Sequence, residues 1–104
     1  MIKRGVPAFT LLALAAAAQP AVAQSVEERA RDWAAACSSC HGFEGRSASE
    51  VPGLAGKAKA DLYRALLDFK SGANKTATVM HQLARGYSDA QLEAVADFFS
   101  KQKR

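Results

Sequence analysis

Two cysteines and a histidine lie close together in the chain, as Cys37-Ser38-Ser39-Cys40-His41. Two thiols three positions apart can each add across a vinyl group of haem, which forms two thioether bonds. The imidazole that follows at once would then lie against the porphyrin, where its Nε2 atom can bind iron. Cys-x-x-Cys-His is the attachment signature of c-type haem, so the motif predicts one covalently bound haem c with its iron.

Two other chemistries use a Cys-x-x-Cys pair. A redox disulfide of the thioredoxin type belongs near a βαβ pattern, and the sequence gives no strand signal. A structural zinc site needs four ligands in paired clusters. The chain has two cysteines and two histidines, and the second histidine, His81, is far along the chain with no other ligand beside it. These two alternatives are therefore weaker than haem attachment.

Residues downstream of the motif extend the pattern. Pro52-Gly53-Leu54 follows the motif, and Met80 comes later, at the end of a loop of small and polar residues. In this combination the chain resembles a monohaem class I cytochrome c over nearly all of its length after the first residues. The stretch from Asp68 to Ser88 is similar to the haem subunit of flavocytochrome c sulfide dehydrogenase, and to one haem domain of related two-haem cytochromes. The resemblance implies an all-α fold with crossing N- and C-terminal helices and a haem in a loop-lined crevice.

The resemblance also implies roles for single residues. In the family, a proline carbonyl at the position of Pro52 accepts the second ring N–H of the ligating histidine, and a leucine at the position of Leu54 packs against that ring. Ligating histidines regularly have such a partner, although a plain turn would also explain Pro-Gly. The family carries its sixth iron ligand at the position of Met80, and His81 is the rival because adjacent side chains diverge. The expected haem-binding residues are Cys37, Cys40, His41, Pro52, Leu54 and Met80, with His41 and Met80 binding the iron.

The first residues predict an export signal. Lys3 and Arg4 form a positive n-region, residues 6–18 form an apolar run, and Ala21-Val22-Ala23 matches a cleavage site. A membrane anchor is the alternative, but the run is short for a bilayer span. Cleavage there would leave residues 24–104 as one cytochrome c domain in the periplasm, where haem is attached after export.

The net charge and the residue types limit the functions that the chain can have. Without the leader the chain has 12 basic and 10 acidic residues, which is not the footprint of a nucleic-acid-binding protein. A His/Met-ligated iron has no open position and passes single electrons. The sequence shows no nucleophile–base pair and no paired carboxylates at a site spacing. We therefore predict an electron carrier or an electron-transfer subunit of an oxidoreductase, and not an enzyme in its own right.

Three functions stay open at this point. The resemblance to the sulfide dehydrogenase subunit implies a flavoprotein partner that donates electrons. A free soluble shuttle would instead carry electrons to a terminal oxidase or a reaction centre. If Met80 were displaced, the haem would bind a small gas or peroxide. None of the three involves nucleic acid or a stable membrane insertion after signal cleavage.

Local signals predict where the helices lie. Ser25 with Glu28, and Ser88 with Gln91, have the spacing of capping boxes, and Gly72 suits the left-handed position after a helix. Apolar residues recur at helical spacing between these signals. We expect helices over residues 26–36, 59–71 and 89–101, and a surface loop over 42–49.

Three aromatic or basic residues have expected positions of their own. Trp33 is four residues before the motif and is expected to pack between the first and last helices, as in the family. Phe43 is a candidate to cover a porphyrin edge. Arg46 either reaches a haem propionate or is exposed without a partner.

Overall fold

The computed structural model describes residues 4, 5 and 23–104. In this part of the chain all regular elements are helical and no strand occurs, which confirms the predicted all-α fold. None of these helices has the length and hydropathy needed to cross a bilayer. The expected signal peptide, residues 1–23, lies almost wholly outside the described residues. The elements are α1 (Val26–Ala35), α2 (Ser38–His41), a 3₁₀ helix (Phe43–Gly45), α3 (Lys59–Ser71), α4 (Met80–Arg85) and α5 (Asp89–Ser100).

Both predicted capping boxes form. Ser25 Oγ accepts the N–H of Glu28 at 3.2 Å, and the Glu28 carboxylate accepts the N–H of Ser25 at 2.9 Å. Ser88 and Gln91 make the same reciprocal pair at 3.1 and 2.9 Å. Such a cap contributes about 1 kcal/mol by satisfying N–H groups that have no partner within the helix. Gly72 ends α3 with φ +83°, the left-handed conformation expected of it.

The core lies where α5 packs against both α1 and α3. The buried residues Ala34 and Leu62 come from the two partner helices. Trp33 is half-buried against this cluster, as its position before the motif predicts. α4 packs against α3, outside the central crossing. The residues that α5 adds to the cluster are Val95, Ala96 and Phe99.

Residues 45–56, which follow the motif, are hydrogen-bonded to one another and to α5, unlike a typical surface loop. The Gly45 carbonyl accepts the N–H groups of Leu54 and Ala55 at 2.8 and 3.2 Å, and the Gly56 N–H donates to the Phe99 carbonyl at 2.9 Å. Gly45 is buried with φ +80°, and a Cβ atom there would lie 2.8 Å from Phe99 Cδ1. The prediction of a plain surface loop over 42–49 is therefore wrong at Gly45, because this backbone turn packs on α5.

Replacing Phe99 with alanine should strongly destabilise the protein. Phe99 is 1% exposed and is the largest fully buried side chain among the described residues. The loss of its transfer free energy and the cavity left behind should lower the free energy of unfolding by about 3–5 kcal/mol. Urea unfolding of the haem-loaded protein, followed by circular dichroism, measures this change. Phe43→Ala is the matched control: Phe43 is 74% exposed, so its loss should change stability by less than about 0.5 kcal/mol.

Candidate functional site

The two cysteines and the histidine lie on one turn of helix. Cys37 immediately precedes α2, and Cys40 and His41 are its last two residues. The His41 N–H donates to the Cys37 carbonyl at 2.9 Å, which closes the turn. Residues three and four apart share one face of a helix, so both thiols and the imidazole lie on the same side. Both thiols are free, so neither is used in a disulfide.

One ring nitrogen of His41 is already engaged. Nδ1 lies 2.6 Å from the carbonyl oxygen of Pro52. A carbonyl oxygen only accepts, so Nδ1 carries the proton and donates it. Nε2 therefore has a free lone pair, and the hydrogen bond fixes the rotation of the ring. This is the arrangement that a metal-binding histidine needs.

Pro52 is positioned by the segment that packs on the core. Leu54, two residues further on, is half-buried against the central cluster, and so is Cys37. The structure thus brings Cys37, His41, Pro52 and Leu54 into one region around α2. Burial raises the pKa of the Cys37 thiol, because the thiolate would lose hydration there. Cys40 is exposed, so the two thiols differ in how open they are to solvent.

The expected sixth ligand lies on a separate element. Met80 is the first residue of α4, half-buried, and His81 follows it. The Nδ1 atom of His81 is buried and has no hydrogen-bond partner among the described residues. Nothing in the sequence signalled that this nitrogen would be buried. Val79 and Leu83, which flank the pair, are 52% and 51% exposed, so α4 presents an apolar surface beside Met80.

Arg46 and Phe43 form a pair beside the motif. The Arg46 guanidinium bonds the Glu44 carboxylate at 2.9 Å and donates to the Lys103 carbonyl at 3.1 Å. The expectation of an arginine without a partner is therefore wrong. The same guanidinium lies 5.7 Å from the centre of the Phe43 ring.

Comparison with known proteins gives the family. The sequence model of the family described as Cytochrome c matches residues 26–103. The chain belongs to the cytochrome c family. This family binds covalently attached haem c with iron and carries electrons, which confirms the predicted cofactor.

The sequence of this cytochrome is similar to those of three named cytochromes. It is 39% identical over 83 residues to the cytochrome subunit of sulfide dehydrogenase of Chlorobaculum tepidum, covering 80% of this chain and 74% of the relative. It is 35% identical to cytochrome c-552 of Acidithiobacillus ferridurans, over 62% of this chain and 28% of the relative. It is 34% identical to cytochrome c-553 of Helicobacter pylori, over 62% of this chain and 69% of the relative. The predicted resemblance to a sulfide dehydrogenase subunit is confirmed by the first of these.

The residues of this cytochrome fit the cofactor of the family. Two free thiols and an imidazole with an available Nε2 lie on the same side of α2. When bound, haem c supplies a one-electron couple between ferrous and ferric iron. The protein's contribution is to hold the donor atoms and to keep the His41 ring in one orientation. The hydrogen bond to Pro52 also makes Nε2 a stronger base, because a proton partly shared with the carbonyl leaves more electron density on the ring.

Proposed function

We propose that this cytochrome is a periplasmic electron-transfer subunit that accepts electrons from a flavoprotein of the sulfide dehydrogenase type. The observation that carries the proposal is the hydrogen bond from His41 Nδ1 to Pro52 beside two free thiols. The 39% identity to a cytochrome subunit of sulfide dehydrogenase supports the kind of partner. Export would be directed by residues 1–23, and haem would be attached to the chain after export.

Each expected site residue has a role in this proposal. Cys37 and Cys40 would form the two thioether bonds to haem. His41 would bind the iron through Nε2, with its ring held by the carbonyl of Pro52. Leu54 would pack against the imidazole and exclude water from it. Met80 would supply the second protein ligand of the iron.

Met80 is the better sixth ligand of the two neighbours on α4. A thioether raises the potential of a haem iron, which suits a protein that must accept electrons and pass them on. His81 would place a second imidazole on the iron and lower the potential. Its buried Nδ1 still needs a partner, because an unsatisfied buried nitrogen costs about 1–3 kcal/mol. A hydrogen-bonding group from outside the described residues would satisfy this nitrogen without displacing Met80.

The flavoprotein would dock on the apolar face of α4. Val79 and Leu83 are large, half-exposed side chains directly beside Met80. Basic residues around the haem-covering loops would form the rim of the interface, where charge mainly alters association rate and salt dependence. Lys59 is partly neutralised by Glu93 at 3.4 Å and by Asp97 at 4.0 Å. The candidate rim residues are Lys57, Lys59, Lys75 and Arg85.

Co-expression with a flavoprotein from the same host tests the proposal. We expect the two proteins to co-purify, and we expect sulfide to reduce the haem only when the flavoprotein is present. Leu83→Glu should weaken the association about tenfold or more, because it places a charge in the apolar centre of the interface. Val26→Glu is the matched control, since Val26 is 56% exposed at the start of α1 and lies outside the proposed interface.

A different result would identify a free shuttle. In that case the isolated cytochrome would be a monomer that no flavoprotein of its host binds or reduces. A respiratory complex would then exchange electrons with it efficiently, and Leu83→Glu would affect that exchange instead.

A further inference from the structure

A basic groove lies on the Pro52 side of His41, away from the ring nitrogen that is free to bind iron. It is an open depression of about 400 Å³. Three of its lining side chains are the cations of Arg46, Lys57 and Arg104, and Pro52 forms part of its wall. The remaining lining residues are small: Gly45, Ser47, Gly53 and Ala55. We call this feature the basic groove.

Two of the three cations of the basic groove, Lys57 and Arg104, form no ion pair within residues 23–104. The third, Arg46, is bonded by Glu44 at 2.9 Å. In residues 23–104, no carboxylate lies within salt-bridge distance of Lys57, Lys103 or Arg104. The groove therefore has a positive potential that suits carboxylates of another molecule.

An exposed aromatic side chain lies beside the basic groove. Phe43 is 74% exposed, which is high for a phenylalanine. The turn that carries it has positive φ angles at Gly42, Glu44 and Gly45, of 87°, 53° and 80°. A positive φ angle is sterically unfavourable for Glu44, since a residue other than glycine or asparagine rarely adopts this conformation. The Arg46 guanidinium, fixed by two hydrogen bonds, supports the ring at 5.7 Å.

This surface is separate from the apolar face of α4 assigned to the flavoprotein, and Lys57, named above among the rim candidates, is assigned to the basic groove instead. The 3₁₀ helix that carries Phe43 packs against α2, whereas α4 packs against α3. The basic groove is also connected to His41, the expected iron ligand, because its wall residue Pro52 accepts the hydrogen bond of His41. A subunit whose donor stays bound on one face has to pass its electron on through another face.

We propose that Phe43 and the basic groove form the docking site for the electron acceptor, a second redox protein with an acidic face. Its carboxylates would pair with Arg46, Lys57 and Arg104, and an apolar group would cover the ring of Phe43. Arginine and aromatic side chains that are held in place contribute strongly to protein interfaces, since little conformational entropy is lost on binding. This inference rests on the proposed function in one respect only: it takes the flavoprotein donor to be bound at the face of α4.

Two synthetic peptides test the site on the haem-loaded protein. One has four glutamates on each side of a central leucine, and the other has serine in place of that leucine. In titrations followed by NMR, shift changes should be confined to residues 43–47, 52–57 and 102–104. The leucine peptide should bind about fivefold more tightly, and Phe43→Ala should abolish that difference. Lys57→Gln with Arg104→Gln should weaken both peptides about tenfold, while the matched control Lys75→Gln should leave both unchanged.

Three results would overturn the proposal. Shift changes centred on Lys75 or Arg85 would locate the acidic contact elsewhere. If neither peptide bound at low ionic strength, the basic groove would not be a docking site. An altered haem absorption spectrum in Phe43→Ala would show that the ring covers the porphyrin edge. These outcomes are independent of the flavoprotein: reduction by sulfide can fail while the peptides still bind the groove, and the peptides can fail while reduction proceeds.

Discussion

Replacing Cys37 and Cys40 together with serine should yield a protein that retains no covalent haem and does not hold its fold. Both thioether bonds are lost, because a hydroxyl does not replace the thiol in this addition. The proposed mature domain, residues 24–104, has 81 residues, and its buried cluster is small. A domain of this size is marginally stable without a further source of apolar burial or a covalent constraint. Without the anchored haem, most of the helical signal in circular dichroism should therefore disappear.

Acid–acetone extraction followed by mass spectrometry measures the attachment directly. Haem should stay with the wild-type polypeptide and enter the organic layer from the double variant. Ser38→Ala is the matched control inside the same motif, and it should keep its haem. Release of haem from the wild-type protein would refute thioether attachment at these two positions.

Replacing Met80 with alanine should lower the reduction potential by about 0.1 V or more, because the axial ligand is a main determinant of haem potential. The weak long-wavelength band from sulfur-to-iron charge transfer, expected for the oxidised protein, should disappear with it. Redox titration and absorption spectroscopy of the haem-loaded variant provide both measurements. The haem should remain covalently attached, because Cys37 and Cys40 are unchanged.

Two variants on α4 control for nonspecific effects. Leu83→Ala removes an apolar side chain from the same helix and should leave the band and the potential unchanged. His81→Ala should also preserve the band, although it removes the buried nitrogen that lacks a partner. If His81→Ala abolishes the band and Met80→Ala does not, the ligand assignment is reversed.

The long helices could be predicted because their signals are local. Ser25 with Glu28, and Ser88 with Gln91, are only three residues apart, so the caps follow from the sequence itself. The predicted ends differ from the structure by one residue at the C-termini of α1 and α5. α3 has the predicted bounds, since Gly72 stops it in a conformation that other residues rarely adopt.

The site was predictable only in part, because several of its contacts join distant parts of the chain. The motif identified the thiols and the imidazole, but the partner of His41 came from resemblance and not from periodicity. The burial of Gly45 escaped prediction because its carbonyl accepts bonds from residues nine and ten positions on, which no local pattern signals. Arg46 is bonded to the carbonyl of Lys103, 57 residues later, and no local pattern signals that contact.

The distance in sequence between α1 and α5 has a consequence for the order of folding and haem attachment. α5 supplies most of the buried cluster, and α1 makes its main helix contact with it. Synthesis proceeds from the N-terminus, and in the proposed export so does translocation, so a partly translocated chain would lack the helix that closes the core. Contacts between elements so far apart in sequence form late, because closing a long loop costs entropy before any contact is made. Cys37, half-buried in the final fold, would therefore stay accessible for haem attachment until α5 has emerged.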